Sequence, residues 1–324
     1  MVGRALSTMV IAGTVNVCCL QAVHGQSDFP TKPVRMLVPF AAGGTFDLVA
    51  RVTAQKLSEM WGQQVVVENR AGGGTIIATE TVAKASPDGY TLLLSPNGLA
   101  ANPALHSKLP YDAQKDLAPV ALLASQPMAL GANPLFAATS IKDLIVLAKS
   151  KPGALSYGTA GAGSGGHLAG EIFKAAAGID LIHVSYKGGN LAMIDVMANQ
   201  IPLVMTGLPN LLPQMRVGKI KILAITEGTR SPVAPNIPTI GESVPGYSFR
   251  NWFGILAPAR VPRPTLDLMN RDINRALEAS DVKERLTEQG FVVIGGTQQE
   301  FGNLIRDDTR KFAEVIDRSG MKLD

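Results

Sequence analysis

Apolar and polar positions along this 324-residue chain fall into blocks whose period switches repeatedly between strand and helix. The run VRMLVPF reads as a buried strand. In FDLVARVTAQKLSEMWG the apolar Leu48, Val49, Val52, Leu57 and Met60 recur near the helical period and Gly62 closes the segment, which predicts a helix. QQVVVENR predicts the next strand, TIIATETVAKAS a helix behind Gly72, Gly73 and Gly74, and YTLLLSP a third strand. Strand, helix, strand, helix, strand predicts parallel pairing through right-handed crossovers.

The alternation resumes after the apolar run VALLASQPMALGANP. It gives helix IKDLIVLAKSK, strand LSYGTA, helix HLAGEIFKAAAG, strand LIHVSY, helix NLAMIDVMANQ, strand PLVMTG, helix LLPQMRVG and strand IKILAIT. From about residue 236 the Pro-rich NIPTIGESVPGYSFRNWFGILAPARVPRP predicts a segment wrapping back over earlier structure, followed by two amphipathic helices separated by GFVVIGG. Strand VRMLVPF, loop AAGGTFD and their helix have the same layout as strand LSYGTA, loop GAGSGG and theirs. The pattern therefore predicts an α/β protein of two halves, each with a glycine loop at a helix N-terminus. The first-turn amides of a helix are unpaired and its dipole favours negative charge there, so two such loops place two anion cradles across a cleft.

Composition sharpens this picture at the N-terminus. Arg4 is followed by ALSTMVIAGTVNVCCLQAVHGQ, an apolar stretch ending in small residues at Ala22 and Gly25, the layout of a cleaved signal peptide over residues 1–25. Cys18 and Cys19 are the two cysteines and both fall inside it, so the mature chain is expected to have no disulfide or thiolate chemistry. The residues before them, Val17 and Cys18, are not the small residue that precedes a lipid-anchored cysteine. No second apolar run is long enough to span a bilayer. With 46% hydrophobic and 17% charged residues the chain has a sizeable core, and its net charge of +4 is spread rather than clustered, which argues against a nucleic-acid partner. The histidines beyond the signal, His106, His167 and His183, lack metal-ligand spacing, and neither metal nor cofactor is expected.

The second glycine loop has two decoy readings. Gly161, Gly163 and Gly166 have the G-x-G-x-x-G spacing of a dinucleotide site, but the ribose-binding acid is missing: Asp180 precedes the next strand, and Ser185 and Tyr186 stand at its end. AGSGG around Ser164 is one residue from the G-x-S-x-G nucleophile turn. An exported serine hydrolase using Ser164 is the alternative function. Against it, His183 lies in a predicted strand, and His167 sits three residues from Ser164, where an N-cap with its first-turn neighbour is the plainer reading.

FPTKPVRMLVPFAAGGTFDLVAR, GQQVVVENRAGGG, SPDGYTLLL, LPYDAQKDLAPV, GTAGAGSGGHLAGEIF, HVSYKGG, NIPTIGES and APARVPRP, in that order, resemble the Bug receptors, periplasmic solute-binding proteins of tripartite tricarboxylate transporters. The resemblance implies a two-lobed, type II periplasmic-binding-protein-like fold that closes on a small carboxylate held by backbone amides, hydroxyls and bridging waters. It implies binding loops at Phe40 through Asp47 and Thr159 through Ser164. It also implies a monomeric, non-catalytic receptor read by a membrane permease or a sensor kinase. Two departures stand out. PFAAGG replaces a proline-containing first loop, and LVMTGLP has Thr206 and Gly207 where members often carry an aspartate, so an ammonium group lacks its partner and a plain organic acid is expected.

The connectors YDAQKDLAPVALLA and TEGTRSPVAPNIP pair as two crossings, which predicts one lobe from residues 27–124 plus 235–324 and the other from 125–234. The candidate ligand-binding residues are Phe40, Gly43, Gly44, Thr45, Asp47, Asn97, Gly98, Thr159, Gly163, Ser164, His167, Lys187 and Thr206. Several have a structural reading beside the functional one. Asp47, at a helix start, also reads as a cap or dipole partner, and Lys187 as a solvated surface lysine. Asn97 and Gly98 follow the C-terminal end of a strand, where α/β sheets bind ligands. Trp252 reads as core or lip packing rather than a stacking platform.

Overall fold

Long apolar runs bounded by glycine and proline fold into two sheets. The computed structural model describes residues 29–319, with Met1 and Gly3, so both cysteines and the rest of the expected signal peptide lie outside the described residues. In chain order the strands are β1 (Val34–Val38), β2 (Val65–Asn69), β3 (Thr91–Pro96), β4 (Leu117–Gln126), β5 (Met128–Ala132), β6 (Ser156–Thr159), β7 (Ile182–Ser185), β8 (Leu203–Gly207), β9 (Lys221–Ile225), β10 (Asn251–Pro258) and β11 (Val292–Val293). The helices are α1 (Thr45–Trp61), α2 (Ile76–Ala83), α3 (Gly98–Leu105), α4 (Ile141–Ser150), α5 (Gly165–Ala177), α6 (Gly189–Met197), α7 (Leu208–Arg216), α8 (Arg263–Glu278), α9 (Ser280–Glu288) and α10 (Gln298–Ser319).

The first sheet has the order β11-β4-β10-β3-β1-β2 and the second β7-β6-β8-β5-β9. β1 pairs in parallel with β2 and β3, and β6 pairs in parallel with β7 and β8. The two glycine loops therefore leave equivalent strands, and the repetition visible in the sequence is a topological equivalence. Each sheet carries helices on both faces. α1, α8 and α9 cover one side of the first sheet, with α2 and α3 on the other. α4 and α5 lie on one side of the second, with α6 and α7 on the other. Two sandwiches of this kind make a two-lobed α/β fold.

The chain leaves the first sheet at Pro127, between β4 and β5, and rejoins it at Asn251. Between β9 and β10 the Pro-rich stretch buries Ile240, Val244, Tyr247 and Phe249 in the second sheet's core. The expected division at residue 235 thus falls inside a segment packed on the second sheet. NWFGILAP, expected within that wrapping segment, is instead an inner strand, antiparallel to both β3 and β4 and buried at all eight positions. A strand covered on both faces shows no alternation. The first of the two expected C-terminal helices is divided at Ala279, whose extended backbone (φ −64°, ψ 133°) separates α8 from α9. Both pieces keep Ile273, Leu277, Val282 and Leu286 in one core.

α10 belongs to both lobes. Its Phe301 and Ile305 pack with Trp252 in a first-lobe core, and its Phe312 and Ile316 pack with Phe249 and Tyr247 in the second. α3 follows the same division, with Leu99 in one core and Ala100, Ala101 and Leu105 in the other. No described helix is long and apolar enough to cross a membrane.

Candidate functional site

Six helices follow the C-terminal ends of strands paired in parallel: α1 after β1, α2 after β2, α3 after β3, α5 after β6, α6 after β7 and α7 after β8. At the first, Gly43 adopts φ 81°, which favours glycine, and Gly44 caps α1 without a side chain, leaving the first-turn amides of Thr45 and its neighbours free of side-chain partners. Asp47, 5% exposed, turns back on this loop: its Oδ2 accepts from the Gly43 amide (2.9 Å) and from Arg51 Nε (2.9 Å). The Arg51 hydrogen bond holds the carboxyl below its usual range, against the effect of burial and with help from the Gly43 amide. Asn69 completes the brace by donating to the Phe40 carbonyl (3.0 Å). Phe40 stacks on Phe46 (4.4 Å), which packs on Phe253 (4.4 Å), fixing the loop to the core. Asp47 and Phe40 therefore shape the loop, while exposed Gly43 and Gly44 present its backbone.

The second loop is held from behind. Ser164 caps α5, its Oγ accepting from the His167 amide (3.4 Å). Gly163 (φ 72°) donates its amide to His167 Nδ1 (3.1 Å), and the Gly161 amide donates to Thr159 Oγ1 (3.2 Å). Thr159 Oγ1 lies 2.7 Å from His183 Nε2, and the rings of His167 and His183 stack at 3.9 Å and 20°. Burial lowers both imidazoles to about 4, with Lys174 adding to the effect at His167 and the neighbouring His167 at His183. Neither imidazole hydrogen-bonds Ser164 Oγ, because His167 Nδ1 takes the Gly163 amide and His183 Nε2 faces Thr159. A Ser–His dyad of the kind a hydrolase needs is not assembled here.

The two lobes meet beside these loops. A Cβ built on Gly98 would stand 3.2 Å from the Gly163 carbonyl oxygen, and one on Gly165 would stand 2.6 Å from Asn251 Oδ1. Asn97, fully buried, donates to the Arg250 carbonyl (3.2 Å), and its Oδ1 has no partner among the described residues. Asn97, Gly98, Gly163 and Ser164 thus come together, with Gly43, Gly44 and Thr45 at the end of the adjoining strand. Lys187 is exposed on the loop between β7 and α6, whose Tyr186 carbonyl abuts Gly161. Thr206 is 5% exposed and sits under Gly189, where a Cβ would approach its Oγ1 to 2.2 Å. Thr159, His167 and Thr206 support the loops from within. Trp252 is core: fully buried, it donates to Asp308 (2.7 Å) and meets Phe301 edge-on. Two surface pockets, of about 460 and 590 Å³, include none of the candidate residues.

Sequence reasoning missed the polar groups at the crossings between lobes. Gln126 Oε1 would lie 2.8 Å from a Cβ on Gly207. Ser125 Oγ donates to Glu227 (3.5 Å), whose carboxyl burial pushes up. Their signal was the polar pair SQ inside VALLASQPMAL and RN inside SFRNWFG, each interrupting an otherwise apolar run.

Comparison with known proteins places this geometry in a family. The sequence profile of the tripartite tricarboxylate transporter family receptors matches residues 49–321. The chain is 35% identical to BugT of Bordetella pertussis over 298 residues, 91% of each chain. Among solved structures, Rpa4515 of R. palustris with adipate superposes with a TM-score of 0.82 at 34% identity, covering 91% of this chain and all of that one. MatC of Rhodopseudomonas palustris with bound malate superposes with a TM-score of 0.80 at 32% identity, covering 89% of this chain and all of the other. The two-lobed α/β architecture and the profile match over most of its length agree, and the chain belongs to the Bug receptors of the tripartite tricarboxylate transporter family.

Proposed function

We propose that this chain captures a small organic carboxylate between its lobes and has no catalytic function. In this reading the 27–124 plus 235–324 and 125–234 portions act as the two lobes, with the stretch from Ile240 to Phe249 packed on the second sheet. The ligand's carboxylate meets the free amides of Gly44 and Thr45 on one side, beside Gly43, whose own amide is held by Asp47. It meets the α5 N-terminus at Gly163 and Ser164 on the other, with Asn97, Gly98 and Lys187 at the margins. The observation that carries it is a pair of equivalent strand–glycine loop–helix units, one in each sheet: the second loop meets the first lobe at Gly98 and Asn251, and the first loop follows β1, the strand beside the one that leads to Gly98. Helix N-termini favour anions, and binding that is tighter in the closed state turns ligand presence into a shape another protein can read. That adipate and malate are bound by structurally similar proteins supports a dicarboxylate. The reader is a membrane permease, with a sensor kinase as a second candidate, and the site of action is the periplasm after removal of residues 1–25.

A thermal-shift screen of mono-, di- and tricarboxylates, including adipate and malate, tests this reading, with each compound recovered and analysed afterwards. The expected result is a raised Tm with at least one carboxylate returned unchanged. No shift with any of them, or turnover that disappears in Ser164→Ala, would overturn it in favour of the exported hydrolase.

A further inference from the structure

Two stacked histidines, His167 buried and His183 half-buried, are both bonded to the second glycine loop. His167 Nδ1 accepts from the Gly163 amide at 3.1 Å, which requires that nitrogen to be unprotonated. Thr159 Oγ1 has a single proton and two neighbours that could take it: His183 Nε2 at 2.7 Å and the Gly161 carbonyl at 3.3 Å. The direction of the His183 bond follows the ring's tautomer, and in either direction the Thr159 oxygen keeps a lone pair to accept from the Gly161 amide at 3.2 Å. Each ring therefore reaches one glycine, His167 directly and His183 through Thr159. The rings lie 3.9 Å apart, so charging one disfavours charging the other.

We propose that the stacked His167–His183 pair is the positioning device of the second glycine loop, holding Gly163 in place only while His167 is neutral, with His183 bracing Gly161 through Thr159. A proton on His167 Nδ1 sets an N–H against the N–H of Gly163, and the loop has to move. The charged groups around the pair are balanced. On α5, Lys174 and Glu171 form an ion pair at 3.0 Å, and Glu171 also accepts from the Tyr157 hydroxyl of β6 at 2.7 Å. α10, packed against α5, has its Asp308 and Lys311 engaged with Trp252 and the Ser248 carbonyl, and α6 offers Asp195, which accepts from Tyr186. β5 and β8 contribute no titratable side chain. The local balance of charge leaves burial to set the pair's protonation, and burial favours the neutral form.

The consequence for ligand rests on the carboxylate reading; the hold on the loop does not. The test follows amide hydrogen exchange at Gly163 and Gly161, and the ring signals of both histidines, from pH 7 to pH 3.5 in the purified protein, with the amides of β8 as internal reference. Protection of Gly163 should fall at least tenfold relative to β8 with the midpoint of the His167 titration. His167→Asn, whose side-chain oxygen replaces Nδ1 as a non-titrating acceptor, should keep the protection and lose the step, whereas His167→Ala should lose protection at every pH. Adipate titrated over the same range should weaken with the step in the wild type and more gently in His167→Asn. Unchanged Gly163 protection through the His167 titration, or an identical step in His167→Asn, would overturn the proposal. Absence of adipate binding at any pH, with the exchange step present, would overturn the carboxylate reading for adipate and support the loop device.

Discussion

Gly98, at the start of α3, faces the Gly163 carbonyl of the opposite lobe so closely that a Cβ would stand 3.2 Å from that oxygen. Its backbone has no conformation reserved for glycine, so a larger side chain can be placed there without straining the helix. Gly98→Val should therefore leave Tm within a few degrees and hold the lobes apart. The expected result is at least a tenfold loss of carboxylate affinity by calorimetry, about 1.4 kcal/mol, with a larger radius of gyration by X-ray scattering in saturating ligand. Unchanged affinity and radius would show that these residues do not need to approach.

Ser164 serves as a cap. Its Oγ accepts from the His167 amide and belongs to no dyad, so Ser164→Ala should destabilise the protein by about 1 kcal/mol in urea unfolding. It should also weaken carboxylate binding. A variant as stable as the wild type would show that the cap contributes nothing.

α10 joins the two cores, and Phe312 is its anchor in the second, 2% exposed beside Phe249 at 6.2 Å. Phe312→Ala should cost about 3–5 kcal/mol in global unfolding, because the cavity opens where the strut enters the second lobe. A loss below about 1 kcal/mol would show that α10 is held by its first-lobe half alone.

Much of this was legible in the sequence because the determinants are local. The glycine loops, their helices and the strands before them are contiguous, and period and punctuation reveal them. What escaped was set by distant neighbours. NWFGILAP is an inner strand only because β3 and β4, far away in sequence, flank it. The small apolar run GLAANPAL became α3 because α10 and both cores cover it. The site was legible in outline and less so in its roles. Asp47 and His167 were candidates for ligand contact, and the structure turns both toward their own loops. Only the fold brings His183, sixteen residues on in strand β7, against His167 of α5.

The histidine pair also gives stability a pH dependence of definite sign. Both rings are lowered from 6.5 to about 4, so the unfolded chain binds protons that the folded chain refuses between those values. Their contribution is fully present above pH 6.5 and is lost as pH falls toward 4, by at most about 1.4 kcal/mol per pH unit for each proton. Glu227 and Asp308, raised by burial, act in the opposite sense, so the comparison is with a double variant. Urea unfolding between pH 7 and 5 should show a smaller slope in His167→Asn with His183→Gln than in the wild type. Equal slopes would place the pH dependence elsewhere.

Neither glycine loop carries Lys or Arg, so a bound carboxylate is met mainly by amides, helix dipoles and hydroxyls inside a closed cleft, where bulk salt screens weakly. Calorimetric titration of adipate and of its diamide, each at two ionic strengths, measures this directly. The expected result is tight binding of the ionised dicarboxylate, little or none of the diamide, and an affinity that changes less than about threefold between low and physiological salt. Equal binding of the diamide, or a steep loss of affinity with salt, would contradict capture by a backbone cradle.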